Sequence, residues 1–246
     1  MNVLSLFDGM SCGQLALDRL GIKVDMYLAA EIDKYAMSIA KKNYPNTVHL
    51  GDVTKLRGMD LPKIDLLMGG SPCQGFSFAG KQLNFDDPRS ALFFEFVRLL
   101  EETKPKYFLL ENVRMKQEYQ DIISEHLGVK PIMINSALVS AQNRVRLYWT
   151  NIPNIEQPED KGSVAGKTEQ RLEIRQDGKT NTLTTVQKDN VVVVPPTYRK
   201  LTPLECERLQ TVPDDYTEGV SNTQRYKMLG NGWTVDVIKH IFKGMK

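Results

Sequence analysis

An α/β domain built on a mostly parallel sheet with helices on both faces is the fold this sequence predicts, and three observations predict it. Short apolar runs alternate with segments of helical periodicity through about the first 150 residues. Apolar residues make up 41% and charged residues 25% of 246, which suits one large globular domain, or a domain with a small insert. No apolar run approaches the roughly 20 residues a membrane helix needs. The start, "MNVLSLFDGM", has neither a basic nor a long apolar region, so no signal peptide is expected.

The elements follow in order. "NVLSLF" (2–7) reads as a buried strand, and "CGQLALDRLG" behind it as a helix that Gly21 stops. "MYLAAEI" (26–32) is the second strand, followed by the helical "KYAMSIAKKNY"; a third strand position ends in "LGDV". "IDLLMGG" (64–70), "KYFLLENV" (106–113) and "PIMINSAL" (131–138) are further strands. They are separated by the helical "RSALFFEFVRLLEETK" and by "YQDIISEHLG", which ends on Gly128. Strand–helix alternation of this kind places the strands in parallel. From about 154 to 196 large apolar groups are few until "NVVVVPP", and this stretch is expected to be a small, largely β insert. The expected domain is therefore 1–153 with 197–246, and the insert 154–196. Beyond it, "TPLECERLQ" starts a helix with Thr202 as N-cap and Pro203 at the first position, and "SNTQRYKMLG" and "TVDVIKHIFKGM" complete the helices.

Charge and cysteines bound the chemistry. Lys and Arg number 32 against 30 Asp and Glu, a net charge of +2, so a nucleic-acid binder of this balance needs a local basic groove. Cys12, Cys73 and Cys206 are odd in number and far apart, which argues against disulfides and structural zinc and for a reducing interior. His49, His126 and His240 lie in unrelated segments, and no metal is implied.

Polar groups gather at successive strand ends. "SLFDGMSCG" is strand, glycine turn, then helix, and lets backbone approach a ligand closely. Glu31, at the end of the second strand, is placed to accept from ribose hydroxyls, and Asp52, at the third, from an adenine amino group. Ribose and adenine recognition without a phosphate-binding glycine run points to S-adenosylmethionine, with S-adenosylhomocysteine as product, rather than to a dinucleotide.

With "FDGMSCG", "GGSPCQGFSFAGKQ", "ENV", "QNRVRLYW", "RKLTPLECERLQTVPDDY" and "LGNGWTVDVI" in this order, nearly the whole chain outside 154–196 resembles the DNA (cytosine-5)-methyltransferase family. "PCQ", "LTPLECERLQ" and Asn231 are similar to bacterial and phage enzymes; "FDG" and "GNGWTVDVIKHIF" are similar to the eukaryotic de novo DNA methyltransferases. The resemblance implies that Cys73 is the nucleophile that adds to carbon 6 of cytosine. It implies Glu111 as the group that donates to ring N3, Arg144 as its partner toward the base O2, and Arg146 as the more structural of the two arginines. Cys12 and Cys206 are expected to be packing residues, and Asn112 to order the backbone near Glu111. The implied cofactor set is Phe7, Asp8, Gly9, Met10, Glu31, Ile32, Asp52, Val53, Pro72, Leu92, Asn231 and Trp233. The last two reach the cofactor if the terminal helix packs beside the first.

In double-stranded DNA the target base must be flipped out. Ser77, Lys81, Gln82, Arg89 and Arg146 are the candidate DNA contacts, and Lys161, Lys167, Arg171, Arg175, Lys179 and Lys188 of the insert a candidate groove. For the insert, a solvated loop is the plain alternative. The expected setting is the cytoplasm of a bacterium or a phage-infected host, with a restriction endonuclease partner or as an orphan enzyme. An RNA cytosine-5 methyltransferase on the same fold, or a non-catalytic regulator on this scaffold, are the competing functions.

Overall fold

The computed structural model describes residues 1–71, 91–155, 180, 181, 183, 185, 191–194 and 197–246. Strands β1 (Asn2–Leu6), β2 (Met26–Ala30) and β3 (Val48–His49) alternate with helices α1 (Cys12–Arg19) and α2 (Lys34–Asn43). Then come β4 (Leu66–Gly70), α3 (Ala91–Thr103), β5 (Tyr107–Val113), α4 (Gln117–Leu127), β6 (Ile132–Asn135), β7 (Gln142–Asn143) and β8 (Val145–Thr150). The remainder is β9 (Thr180–Asn181), β10 (Val191–Val194), β11 (Thr197–Lys200), α5 (Pro203–Leu209), α6 (Asn222–Asn231) and α7 (Val235–Phe242).

Seven strands form one sheet in the order β3-β2-β1-β4-β5-β8-β6. β3, β2, β1, β4 and β5 are mutually parallel, and β8 runs antiparallel to both of its neighbours. Side chains alternate across the sheet as the strand period requires. Val3, Leu66, Met68 and Leu109 join one core with α1 and α7. Leu4, Leu6, Leu67, Phe108 and Leu110 join a second core with α3 and α4. The mostly parallel α/β fold expected from the sequence is the fold observed.

The local chemistry explains the helix starts. Asp33 caps α2 by accepting from the Tyr35 and Ala36 N–H groups. Thr202 and Glu205 form a reciprocal capping box on α5, with Pro203 at the first position as expected. Gly128, at φ 69°, ends α4. Helix α7 packs beside α1, and Arg19 pairs with Asp236 at 3.0 Å across that contact. The far end of the chain thereby closes on its beginning.

The structure differs from the sequence reading, or adds to it, at three places. The strand expected over 131–138 stops at Asn135, and Ser136–Leu138 form a 3-10 turn. β8 was not anticipated as an element; it lies inside the sheet and carries Arg146, and Arg144 immediately precedes it. A strand returning antiparallel needs no crossover helix, so strand–helix alternation carries no signal for it. The third concerns the insert. β10 pairs antiparallel with β11, across the expected 196/197 boundary. β9 pairs with β7, and Leu183 is buried in the core with Ile152 and Leu201. Residues 180, 181 and 183 thus reach the main domain, and 191–194 pair with 197–200.

Candidate active site

At the carboxyl ends of β1, β2, β4 and β5 lies a cavity of about 610 Å³, the size of a small-molecule site. It opens where the strand order reverses between β1 and β4, the position at which open α/β sheets bind ligands.

The turn after β1 forms one wall. Phe7, Gly9 and Ser11 have φ of 56°, 60° and 64°, left-handed backbone that persists only where the surroundings over-determine it. Two carboxylates do so. Asp8 accepts from the Ser11 hydroxyl at 2.6 Å and the Tyr27 hydroxyl at 2.7 Å. Burial raises the Asp8 carboxyl above the usual range, opposed by those hydroxyl donors. Glu31 accepts from the Gly9 N–H on Oε2, and from Ile32 and Asp33 N–H on Oε1, each at 2.8 Å. With two acceptor positions per oxygen, Glu31 Oε2 keeps one for a ligand.

The other expected cofactor residues divide. Phe7, Asp8, Gly9, Glu31, Ile32, Asp52, Val53, Leu92, Asn231 and Trp233 all line the cavity. Ile32 is 76% exposed, an apolar platform that the described residues leave largely uncovered. Asp52 accepts the N–H and hydroxyl of Thr54 on Oδ1, which hold its carboxyl low and leave Oδ2 as an open acceptor. Asn231 is the last residue of α6 rather than part of the turn before α7. Met10 does not line the cavity. Its side chain is in the core, and its carbonyl accepts from the Tyr216 hydroxyl at 2.7 Å.

The other end of the cavity is built from β5, β8 and the turn before α7. Glu111 is buried at the end of β5. Arg146 Nε lies 3.0 Å from its Oε1, and the Trp233 indole N–H donates to its Oε2 at 3.1 Å. Arg144 is also buried, but its guanidinium donates to the Gly230 and Gly232 carbonyls at 3.2 and 3.1 Å. Burial, then the nearby Arg146 charge, lowers Arg144 to about 10. In the structure Arg146 pairs with Glu111, and Arg144 pins the turn that carries Trp233. Asn112 donates to the buried Ser71 hydroxyl at 3.2 Å and accepts from the Val113 N–H, ordering the backbone as expected.

Sequence reasoning missed part of this wall. Cys12, read as packing, is buried and also lines the cavity, and burial pushes its thiol up to about 12. Cys206 is buried in the core, its thiol also pushed up to about 12. Lys227 on α6 bonds Asp33 at 2.7 Å, and both residues line the cavity. The cap signal at Asp33 was legible; a partner 194 residues away was not. Pro72, Cys73, Ser77, Lys81, Gln82, Arg89 and the six basic residues of the insert lie outside the described residues.

Comparisons with known proteins complete the description. The family model described as C-5 cytosine-specific DNA methylase matches residues 1–154 and 115–246. The chain is 32% identical over 302 residues to the type II methyltransferase M1.ScrFI of Lactococcus lactis subsp. cremoris, covering 99% of this chain and 77% of that one. It is 37% identical over 165 residues to the orphan methyltransferase M.SPRI of Bacillus phage SPR, covering 62% of this chain and 38% of that one. Among solved structures, a Spodoptera frugiperda DNMT2 variant superposes with a TM-score of 0.77 at 19% identity, over 99% of both chains. That likeness concerns the fold.

Proposed function

The chain belongs to the C-5 cytosine-specific DNA methylase family, and we propose that it transfers a methyl group from S-adenosylmethionine to carbon 5 of a cytosine flipped out of double-stranded DNA, through a covalent adduct with Cys73. The observation that carries this reading is the placement of Glu111. A carboxyl held by Arg146 and Trp233 stands at the inner end of the cavity, beside the strand end that leads into Pro72 and Cys73.

The cavity suits the cofactor. Glu31 Oε2 and Asp52 Oδ2 keep acceptor positions for ribose hydroxyls and an adenine amino group, and Ile32 offers the adenine an apolar face. When bound, the cofactor supplies a methyl group activated by a sulfonium. The protein's own residues do the rest. The Cys73 sulfur adds to carbon 6 and breaks the ring's aromaticity, while Glu111 donates to N3 and takes up the charge that develops there. Carbon 5, now an enamine carbon, would take the methyl group as its bond to the sulfonium breaks and S-adenosylhomocysteine leaves. Loss of the carbon 5 proton to water, departure of the Cys73 sulfur and return of the N3 proton to Glu111 restore the ring. Arg146 holds the Glu111 carboxyl, and Arg144 holds the turn that closes the cavity. Ser77, Lys81, Gln82 and Arg89 are proposed to contact DNA beside the flipped base, and 154–196 to read the site.

The test is transfer of tritiated methyl groups by the purified chain to duplex DNA, with RNA as the comparison arm, and bisulfite sequencing to locate the product. DNA labelled at cytosine carbon 5 is expected; labelling confined to RNA overturns the substrate. Cys73→Ser should abolish transfer, whereas Cys12→Ser and Cys206→Ser should retain most of it. Substantial activity in Cys73→Ser would remove the covalent step, as would failure to form a denaturation-resistant adduct with 5-fluorocytosine DNA.

A further inference from the structure

Trp233 occupies an unusual seat between three elements. Its ring edge lies over Gly13 in the first turn of α1, where an added Cβ would stand 3.3 Å from Cζ3. Its Nε1 lies beside Gly70, the last residue of β4, where a Cβ would stand 2.9 Å from both that nitrogen and Glu111 Oε2. The indole and the carboxyl meet over a strand end bare of side chain. The same ring lines the cofactor cavity, and its turn is held by Arg144.

A carboxyl has a broad terminal torsion, so one donor leaves its plane free to turn. Donors on both oxygens fix it. Arg146 supplies the first from β8, and the second comes from the turn that closes the cofactor cavity. An indole N–H only donates, so this contact has one sense. We propose that Trp233 is a positioning residue for Glu111, through which occupation of the cofactor cavity sets the orientation of the catalytic carboxyl. A ligand packed on the ring fixes the N–H, and the N–H fixes the plane of the carboxyl. The inference rests on the reading of the cavity as the cofactor site and of Glu111 as the group at N3.

The experiment is a double-mutant cycle in the full chain, with Trp233→Phe, Glu111→Gln and their combination. S-adenosylhomocysteine affinity is read by calorimetry, and methyl transfer to DNA in a single turnover. Phe keeps an aromatic face without the N–H. Trp233→Phe should therefore hold product affinity within about threefold, yet slow transfer roughly ten- to hundredfold, the range for leaving a buried polar group without its hydrogen-bond partner. In the Glu111→Gln background the same change should cost less than about threefold. Gly70→Ala, which drives a methyl between the two groups, should reproduce the loss. Equal fold losses in both backgrounds, or an unslowed Trp233→Phe, overturn the proposal.

A second readout does not depend on that variant folding. The chain has two tryptophans, and Trp149 is buried with its indole on the Ser124 hydroxyl at 3.0 Å. In Trp149→Phe, emission therefore reports Trp233 alone. S-adenosylhomocysteine should shift it, and Glu111→Gln should change the size of that shift; an identical shift in both overturns the coupling. An unaltered protein that binds no S-adenosylhomocysteine removes the functional reading as well, whereas an active enzyme without coupling removes this inference only.

Discussion

The two ends of the cavity are built by different means. Around Phe7, Glu31 and Asp52 the wall consists of turns at the ends of parallel strands, and carboxylates there are spent largely on backbone N–H groups of their own loop or, for Glu31 with Gly9, of the neighbouring strand-end turn. Around Glu111 the wall consists of side chains that arrive from distant segments, Arg146 on β8 and Trp233 before α7. The first end is held by local backbone geometry. The second is held by charge-assisted bonds between elements, so deletion of one partner there leaves another polar group buried and unpaired. The difference teaches which substitutions break the fold and which break only the ligand contacts.

The largest effect is expected at the second end. Arg144→Ala removes two donors from the Gly230 and Gly232 carbonyls and vacates a buried position. Urea unfolding should show a loss of about 3 kcal/mol, with cofactor affinity falling as the turn loosens. A variant within about 0.5 kcal/mol of the parent would show that the second end does not depend on this link.

At the first end a smaller, ligand-centred effect is expected. Glu31→Gln places an amide where three N–H groups now find carboxylate oxygens, so at least one donor faces another. Cofactor affinity should fall about tenfold by calorimetry while methyl transfer at saturating cofactor stays within roughly threefold. A larger fall in the saturated rate than in affinity would erase the distinction between the two ends.

The smallest effect belongs to the Asp33–Lys227 pair at the cavity mouth, at 2.7 Å. Burial alone would raise the Asp33 carboxyl, but Lys227 and the Tyr35 and Ala36 N–H groups outweigh it and hold the carboxyl low. A carboxyl depressed in the folded state adds stability above its unfolded value, near pH 4, and loses that contribution as pH falls through the folded value. Lys227 is half exposed, so Lys227→Ala should cost under about 1 kcal/mol at pH 7. The difference from the parent should shrink toward pH 3, as read by urea midpoints across that range. A difference that grows on acidification would show that the pair does not set the Asp33 charge.

The same contrast governs how much was legible in the sequence. Glu31 and Asp52 could be found because buried strands announce themselves as apolar runs, and an acid just past such a run has few places to go. Met10 misled because a turn residue next to a glycine can face either ligand or core, and only the packing of Tyr216 onto its carbonyl decides. Arg144 and Arg146 were recognisable as a pair, yet their tasks follow from β8 running antiparallel inside the sheet, a pairing no local pattern encodes. The Glu111–Trp233 bond spans 122 residues and leaves no local trace. The pairing of "NVVVV" was illegible for a related reason, since it reads as an isolated apolar run until its partner strand over Thr197–Lys200 is known.

The packing of α7 beside α1, with Trp233 over Gly13, has a consequence for biosynthesis. The turn after β1 leaves the ribosome first, yet its cavity gains its last wall only when residues 230–233 emerge. At about 5–20 residues per second that interval is roughly ten to forty seconds. Throughout it the nascent chain has a sheet with an open rim and lacks any tightening by bound ligand, which stabilises only a completed site. Truncated products that end before Trp233 are therefore expected to gain no protection from proteolysis by a ligand of this cavity.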